Sequence, residues 1–326
     1  MYVISALVVV GAVIASVYGY HPFQKNEEET SATLIGTNVK DTTNSAVLMP
    51  VEAEPELKID LIKYTPQAAS GSNPEVDDLI TEAIALISAK PGGIIEARDR
   101  LNEAMLMPMD EQQQTFVKKQ LSELADKWLF SRAVFEQDKL CGSYKVQLGD
   151  KLKTIGRRFK VPYEILMKIN NITKPKTLRA GETIKVINGP FHARIHRSAF
   201  TMDLYLQDTF VRSFPVVLGR PGMETPTGYW VVKPDGKLIS PTWTDTYTGK
   251  TYEAQDPDYP LGSRWIGLEG TEGSAKGRTG FAIHGTTAQE DLGTARSRGC
   301  IRLYDEDVIL VYDLLMPGLS HLVIVE

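Results

Sequence analysis

The sequence predicts a multidomain chain with an α-helical N-terminal unit, a small α+β module built strand-helix-helix-strand, and a mainly-β C-terminal domain. Three observations carry this reading. Apolar residues recur at helical spacing between Pro74 and Leu129. Two short strands flank two short helical runs between Tyr144 and Ile187. From Gly189 onward, short alternating runs are punctuated by Gly, Pro and Asp turns.

The chain has 326 residues, of which 42% are apolar, enough for two or three cores. Its formal net charge of -5 gives no general basic field, so nucleic acid is not an expected partner. Two cysteines, Cys141 and Cys300, make no disulfide framework; one bridge between them would consume the single attractive nucleophile. Residues 1–20 contain an uncharged run from Tyr2 to Tyr20, long enough for a membrane anchor or an export signal. Residues 21–73 are polar and aperiodic and read as a flexible linker, with Leu57 to Tyr64 as a short run able to dock.

Residues 74–137 form the helical unit. Val76, Leu79, Ile80, Ala83 and Ile87 share one face, Ile94, Ala97, Leu101 and Ala104 a second, and Phe116, Val117, Leu121, Leu124 and Trp128 a third. The unit resembles one tetratricopeptide-like hairpin plus a helix. A single copy is not a repeat array, which leaves a packing module or a protein-docking surface.

Residues 143–188 form the α+β module. Tyr144 to Val146 is the first strand, Gly149 and Asp150 make the turn, and Asp150 is placed to cap a helix carrying Leu152, Ile155 and Phe159. Pro162 opens a second helix with Ile165, Leu166 and Ile169 on its apolar face, and Thr183 to Ile187 returns as a strand. The order of these residues resembles a LysM domain, a βααβ fold that binds N-acetylglucosamine-containing glycans. The resemblance implies a shallow glycan groove around Gly149, Asp150 and Ile172.

Residues 189–326 hold the chemistry. Phe281 to Ile283 is an apolar strand that delivers His284, and Gly285 allows a sharp turn and a close approach. With fifteen residues between it and His284 comes Cys300, flanked by Arg298, Gly299 and Arg302. A thiol is mostly protonated at neutral pH and needs a neighbouring base or positive charge, so Cys300 and His284 are a candidate nucleophile and base. Backbone N-H groups at Gly299 and Cys300 are candidate oxyanion donors. Arg302 suits a substrate carboxylate or carbonyl, the alternative being a structural ion pair. Asp305 looks like a helix cap.

The segments VVLGRPGMETPTGYW, YPLGSRWIGL, FAIHGT and SRGCIRLYDEDV resemble, in this order, the L,D-transpeptidase catalytic domain, the YkuD-like β-sandwich. The whole arrangement is similar to bacterial cell-wall cross-linking proteins, including the planctomycete type. The resemblance implies that the Gly285 carbonyl orients His284. Ser297, Arg298 and Arg302 join the expected substrate contacts. Many relatives carry histidine where this chain has Arg298; an arginine there is suited to lowering the Cys300 pKa or to holding a donor carboxylate. Lys233 to Gly280 reads as one long functional loop, with Trp265 either a core anchor or a substrate contact.

The function expected is a peptidoglycan L,D-transpeptidase that makes 3→3 cross-links through a cysteinyl thioester, aided by LysM binding to glycan. The alternatives are an L,D-carboxypeptidase using the same nucleophile and an inactive LysM wall-binding scaffold. Neither a metal nor a cofactor is expected, since no ligand cluster or phosphate loop is present in the sequence. The expected location is extracytoplasmic, in the periplasm or cell wall, held to the membrane by the N-terminal segment.

Overall fold

The computed structural model describes Tyr64 and residues 71–89, 93–286 and 288–326. The apolar N-terminal stretch and nearly all of the linker lie outside these residues. Among the described residues no helix is long and apolar enough to cross a membrane. Tyr64, within the expected linker, is docked: its hydroxyl donates to Asp77 and its ring lies 4.6 Å from that of Phe116.

The helical unit consists of α1 (Pro74–Ala89), α2 (Gly93–Ala104) and α3 (Glu111–Trp128). Helix α3 starts at a capping box, in which Asp110 accepts the Gln113 N-H at 2.8 Å and the Gln113 side chain accepts the Asp110 N-H. The apolar stripes expected from sequence are buried, with Ile80, Leu101, Leu121, Leu124 and Trp128 almost inaccessible.

The α+β module pairs β1 (Cys141–Lys145) antiparallel with β2 (Thr183–Ile187), around α4 (Leu152–Arg158) and α5 (Tyr163–Ile169). Asp150 does not cap α4. Its carboxylate instead accepts the Gln147 N-H at 2.8 Å and the Tyr144 hydroxyl at 2.7 Å, closing the turn before the helix. Lys185 of β2 donates to the carbonyls of Trp128, Ser131 and Ala133 at 2.5, 2.9 and 2.6 Å. One ammonium thus satisfies carbonyls at and beyond the end of α3 and ties the first two modules together.

The C-terminal domain has the strands β3 (Phe191–His196), β4 (Thr201–Leu206), β5 (Thr209–Pro215), β6 (Leu218–Gly219), β7 (Gly228–Ile239), β8 (Trp243–Thr244) and β9 (Thr251–Tyr252). They are followed by β10 (Arg264–Glu272), β11 (Phe281–Thr286), β12 (Ala295–Ser297), β13 (Ile301–Tyr304), helix α6 (Asp305–Leu314) and β14 (His321–Val325). Eight of these strands form a mixed sheet in the order β13-β11-β10-β7-β14-β3-β4-β5. The region expected as one long loop therefore contains a strand of the main sheet, because β10 runs through it and pairs with both β7 and β11. Its Gly- and Thr-rich composition hid a nine-residue strand. Helix α3 packs on β5, with Lys118 reaching Asp203 of β4 at 2.7 Å and Asp126 pairing with Arg212 of β5 at 2.6 Å. The helical unit thus covers one edge of the sheet, and β13 forms the other.

Candidate active site

His284 and Cys300 are brought together by parallel pairing at the β13 edge. On β11 and β13, Ile283 is opposite Ile301 and His284 is opposite Arg302. Side chains alternate across a sheet, so Ile283, Gly285, Ile301 and Leu303 pack toward α6 while His284 and Arg302 share the other face. On that face Trp265 is opposite His284, and Leu238 is opposite Trp265. A row of Leu238, Trp265, His284 and Arg302 therefore crosses four strands. Cys300 immediately precedes β13, two residues before Arg302, and the Ala282 backbone N-H bonds to its sulfur.

The imidazole of His284 is buried, with its Nδ1 2.9 Å from the Gly285 carbonyl oxygen. A carbonyl oxygen only accepts, so Nδ1 carries the proton and Nε2 keeps its lone pair. Burial, helped by the positive charge of Arg302, lowers the His284 pKa to about 4 against the pull of the Gly285 and Leu261 carbonyls. The ring is a neutral base at physiological pH. Trp265 stacks on it, with ring centroids 5.7 Å apart and planes at 18°. Gly285 continues the strand instead of turning it; the close approach is what demands glycine. A Cβ there would fall 2.2 Å from Oδ1 of Asp305. That carboxylate accepts the Ser263 N-H at 2.6 Å, so Asp305 opens α6 without capping it and ties the helix to the start of β10.

Burial raises the pKa of Cys300, and the Ala282 N-H and the charge of Arg302 offset part of that rise. Its thiol is directed at the Gly280 carbonyl, 4.0 Å away, and among the described residues no hydrogen bond joins it to His284. Contacts of this kind are commonly loose before substrate binds. Cys141 and Cys300 are both free thiols, on different modules.

The loop before Cys300 corrects two expectations. Ser297 is fully buried, donating its hydroxyl to the Cys300 carbonyl at 2.6 Å and accepting the Gly299 N-H at 3.0 Å. It holds the loop and offers no surface to a substrate. The Gly299 N-H, already bonded, is not an open oxyanion donor. Glycine is required at 299 by its φ of +114° and by Phe281, whose Cε1 a Cβ would meet at 2.9 Å. The Gly299 carbonyl accepts the Thr225 hydroxyl at 2.9 Å, and that hydroxyl accepts the Gly219 N-H at 3.0 Å. Thr225 lies inside the segment ETPTGYW, where nothing local signals that its hydroxyl will reach a loop 74 residues away.

Arg298 is taken up by the β8-β9 hairpin. It pairs with Asp245 at 2.8 Å and lies 4.5 Å from the ring of Tyr247, both on the hairpin between β8 and β9. The cation acting on Cys300 is therefore Arg302. Arg302 is half-buried, its Nε has no hydrogen-bond partner, and among the described residues no carboxylate lies within ion-pair distance. The structural ion pair considered for it is absent among these residues. Trp265 is half-buried in the same row.

In the α+β module, Gly149 (φ +90°) and Asp150 lie in the loop after β1, and Ile172 in the loop after α5. The Asp150 carboxylate is taken up by Tyr144 and Gln147, whereas the neighbouring Leu148 is 95% exposed. Among the described residues no group of three or more His, Cys, Asp or Glu side chains is placed to hold a metal ion.

The fold and site define a mainly-β domain that presents a thiol, a neutral imidazole and a guanidinium on one sheet face. Residues 190–325 match the L,D-transpeptidase catalytic domain family, YkuD, and residues 144–186 match the LysM domain. The chain thus carries a YkuD-type L,D-transpeptidase catalytic domain and, before it, a LysM domain. The Bacillus subtilis protein named as L,D-transpeptidase YkuD is 26% identical over 184 residues, 54% of this chain and 94% of that protein. The Escherichia coli protein named as L,D-transpeptidase ErfK/SrfK is 29% identical over 177 residues, 50% of this chain and 47% of that protein. Among solved structures, the catalytic domain of an E. faecium L,D-transpeptidase aligns at a TM-score of 0.32 and 19% identity, over 41% of this chain and 95% of that one.

Proposed function

We propose that the protein is a peptidoglycan L,D-transpeptidase that joins stem peptides by 3→3 cross-links through a thioester on Cys300, with its LysM domain binding glycan. The observation that carries this reading is the His284 ring, fixed by the Gly285 carbonyl as a neutral base on the same sheet face as Cys300 and Arg302. The Cys300 thiol attacks the carbonyl of the third, diamino acid residue, and its proton passes to Nε2 of His284. The Cys300 N-H stabilises the tetrahedral oxyanion. As the C-N bond breaks, His284 returns the proton to the departing D-alanine amine, leaving the thioester. The side-chain amine of a second stem then attacks, gives its proton to His284, and the thiol leaves. Arg302 holds a carboxylate of the donor, and Trp265 with Leu238 gives the stem an apolar floor. Ser297 and Thr225 shape the Cys300 loop. Gly149, Asp150 and Ile172 border the glycan groove, and the exposed Leu148 adds an apolar contact there.

This chemistry places the catalytic domain outside the cytoplasm, in the periplasm or cell wall, with residues 1–20 as the membrane anchor. Disaccharide-tetrapeptides incubated with the full-length protein and analysed by mass spectrometry should yield 3→3 dimers and free D-alanine, and neither with Cys300→Ala. Tripeptide as the sole product would replace the transferase reading by a carboxypeptidase; unchanged substrate with retained glycan binding would leave a scaffold.

A further inference from the structure

The sheet face opposite His284 carries a second concave feature. The LysM helices and the catalytic domain enclose a cleft of about 450 Å³. Lys153 and Arg157 of α4, with Tyr163 and Glu164 at the start of α5, line one side; Lys237 of β7 and Tyr312 of α6 line the other. The register explains the placement. Lys237 is opposite Ile266, one residue out of phase with the row of Leu238, Trp265, His284 and Arg302, so its side chain leaves the sheet toward α6. Its ammonium lies 4.1 Å from the centre of the Tyr312 ring, and burial lowers its pKa to about 8. Asp235 and Glu164 supply negative charge in the lining, yet among the described residues no carboxylate comes within ion-pair distance of Lys153, Arg157 or Lys237. Glu164 and Asp313 act on the Lys237 ammonium only from beyond ion-pair distance, and such a partly buried charge stays charged more readily once an anion enters beside it.

We propose that this cleft binds a non-reacting peptidoglycan fragment through the carboxylates of its stem peptide. The proposal rests on the transpeptidase reading for its substrate class. The volume falls in the range of pockets that bury a ligand of a few hundred daltons, so the cleft takes a stem peptide with an attached sugar and not a glycan strand. The three cations meet the stem carboxylates, Glu164 and Asp235 meet the amine of the diamino acid, and the Tyr163 ring gives a sugar or an alanine an apolar face. A stem held here and a glycan held on the LysM loops keep one wall segment on the enzyme while the face with Cys300 turns over another.

The test uses the full-length protein with Cys300→Ala, titrated with a soluble disaccharide-tetrapeptide and followed by NMR of the tyrosine and tryptophan rings. Signals of Tyr163 and Tyr312 should shift on titration. Lys237→Met should weaken the affinity read at those signals about tenfold, and Lys237→Arg should restore it. A neutral chitin hexamer should leave both rings unshifted. Shifts confined to Trp265, unchanged affinity in folded Lys237→Met protein, or an equal response to the chitin hexamer would overturn the proposal. With Cys300 intact, Lys237→Met should be acylated by a carbapenem at the parent rate. If the parent protein itself resists acylation, the transpeptidase reading fails, and the titration still decides whether the cleft takes carboxylated fragments.

Discussion

Beside the β5 edge of the sheet, buried Asp203 of β4 is surrounded by Lys118 at 2.7 Å, His196 at 3.3 Å and the Ser213 hydroxyl at 2.6 Å. At the β13 edge, Arg302 is half-buried with an unpartnered Nε and no carboxylate within ion-pair distance among the described residues. Burial alone would raise the pKa of Asp203, but its three partners outweigh it and hold it below the ordinary carboxylate range. At His284 the Gly285 and Leu261 carbonyls offset burial only in part, the charge of Arg302 adds to it, and the pKa falls to about 4. One edge is electrostatically complete and docks the helical unit. The other keeps a neutral base, a protonated thiol and a cation waiting for a partner, which is the condition an acyl-transfer site needs before substrate arrives.

The largest effect should follow from breaking the open edge. His284→Ala removes the base and should slow acylation by a carbapenem about a thousandfold, with little change in unfolding midpoint. Full acylation of that variant, followed by intact-mass spectrometry, would show that another group takes the proton. At the closed edge the sign reverses. Asp203→Ala leaves Lys118 facing a partly buried site without its carboxylate and should cost about 3 kcal/mol in denaturant unfolding, while the folded fraction keeps its acylation rate.

A smaller effect comes from pH. Burial holds both His284 and His192 neutral down to about 4, whereas in the unfolded chain each takes up a proton near 6.5. Between those values the unfolded state binds more protons, so stability is full above 6.5 and falls as pH drops toward 4, by roughly 1 kcal/mol per histidine per pH unit. His284→Gln should flatten that slope by about half, and an unchanged slope would mean that His284 does not titrate there. For the same reason acylation should decline toward pH 4 and not near 6.5. The smallest effect is expected at Arg298, whose half-exposed guanidinium is held by buried Asp245 on the hairpin and has no hydrogen bond to Cys300 among the described residues. Arg298→Ala or Arg298→His should change carbapenem acylation by less than about tenfold, through loosening of the β8-β9 hairpin. A loss matching that of His284→Ala would place Arg298 in the chemistry itself.

Some of this was legible along the chain. Helical periodicity located α1 to α3, and alternation with turn residues located β3, β4, β5 and the start of β7. The HG and SRGC segments marked His284 and Cys300 by residue type and glycine context alone. The strand β10 was not legible, because an interior strand with Gly267 and Gly270 loses its alternation where other backbones crowd it. Nor were the uses of Ser297, Asp305 and Asp150, since a short polar side chain advertises a hydrogen bond without naming its partner.

The sequence by itself determined which chemical groups are available: one cysteine in a glycine-bearing loop, one histidine before a glycine, arginines around them, and three modules in a fixed order. Only the tertiary structure decided what each group does. The parallel register of β11 and β13 put His284 and Arg302 on one face, Ser297 closed off the Gly299 N-H, and Asp245 took up Arg298. These outcomes depend on strand register and on partners tens of residues distant. Local composition fixes the propensity of a segment; protonation state and hydrogen-bond occupancy are set by the burial and neighbours that only the folded chain supplies.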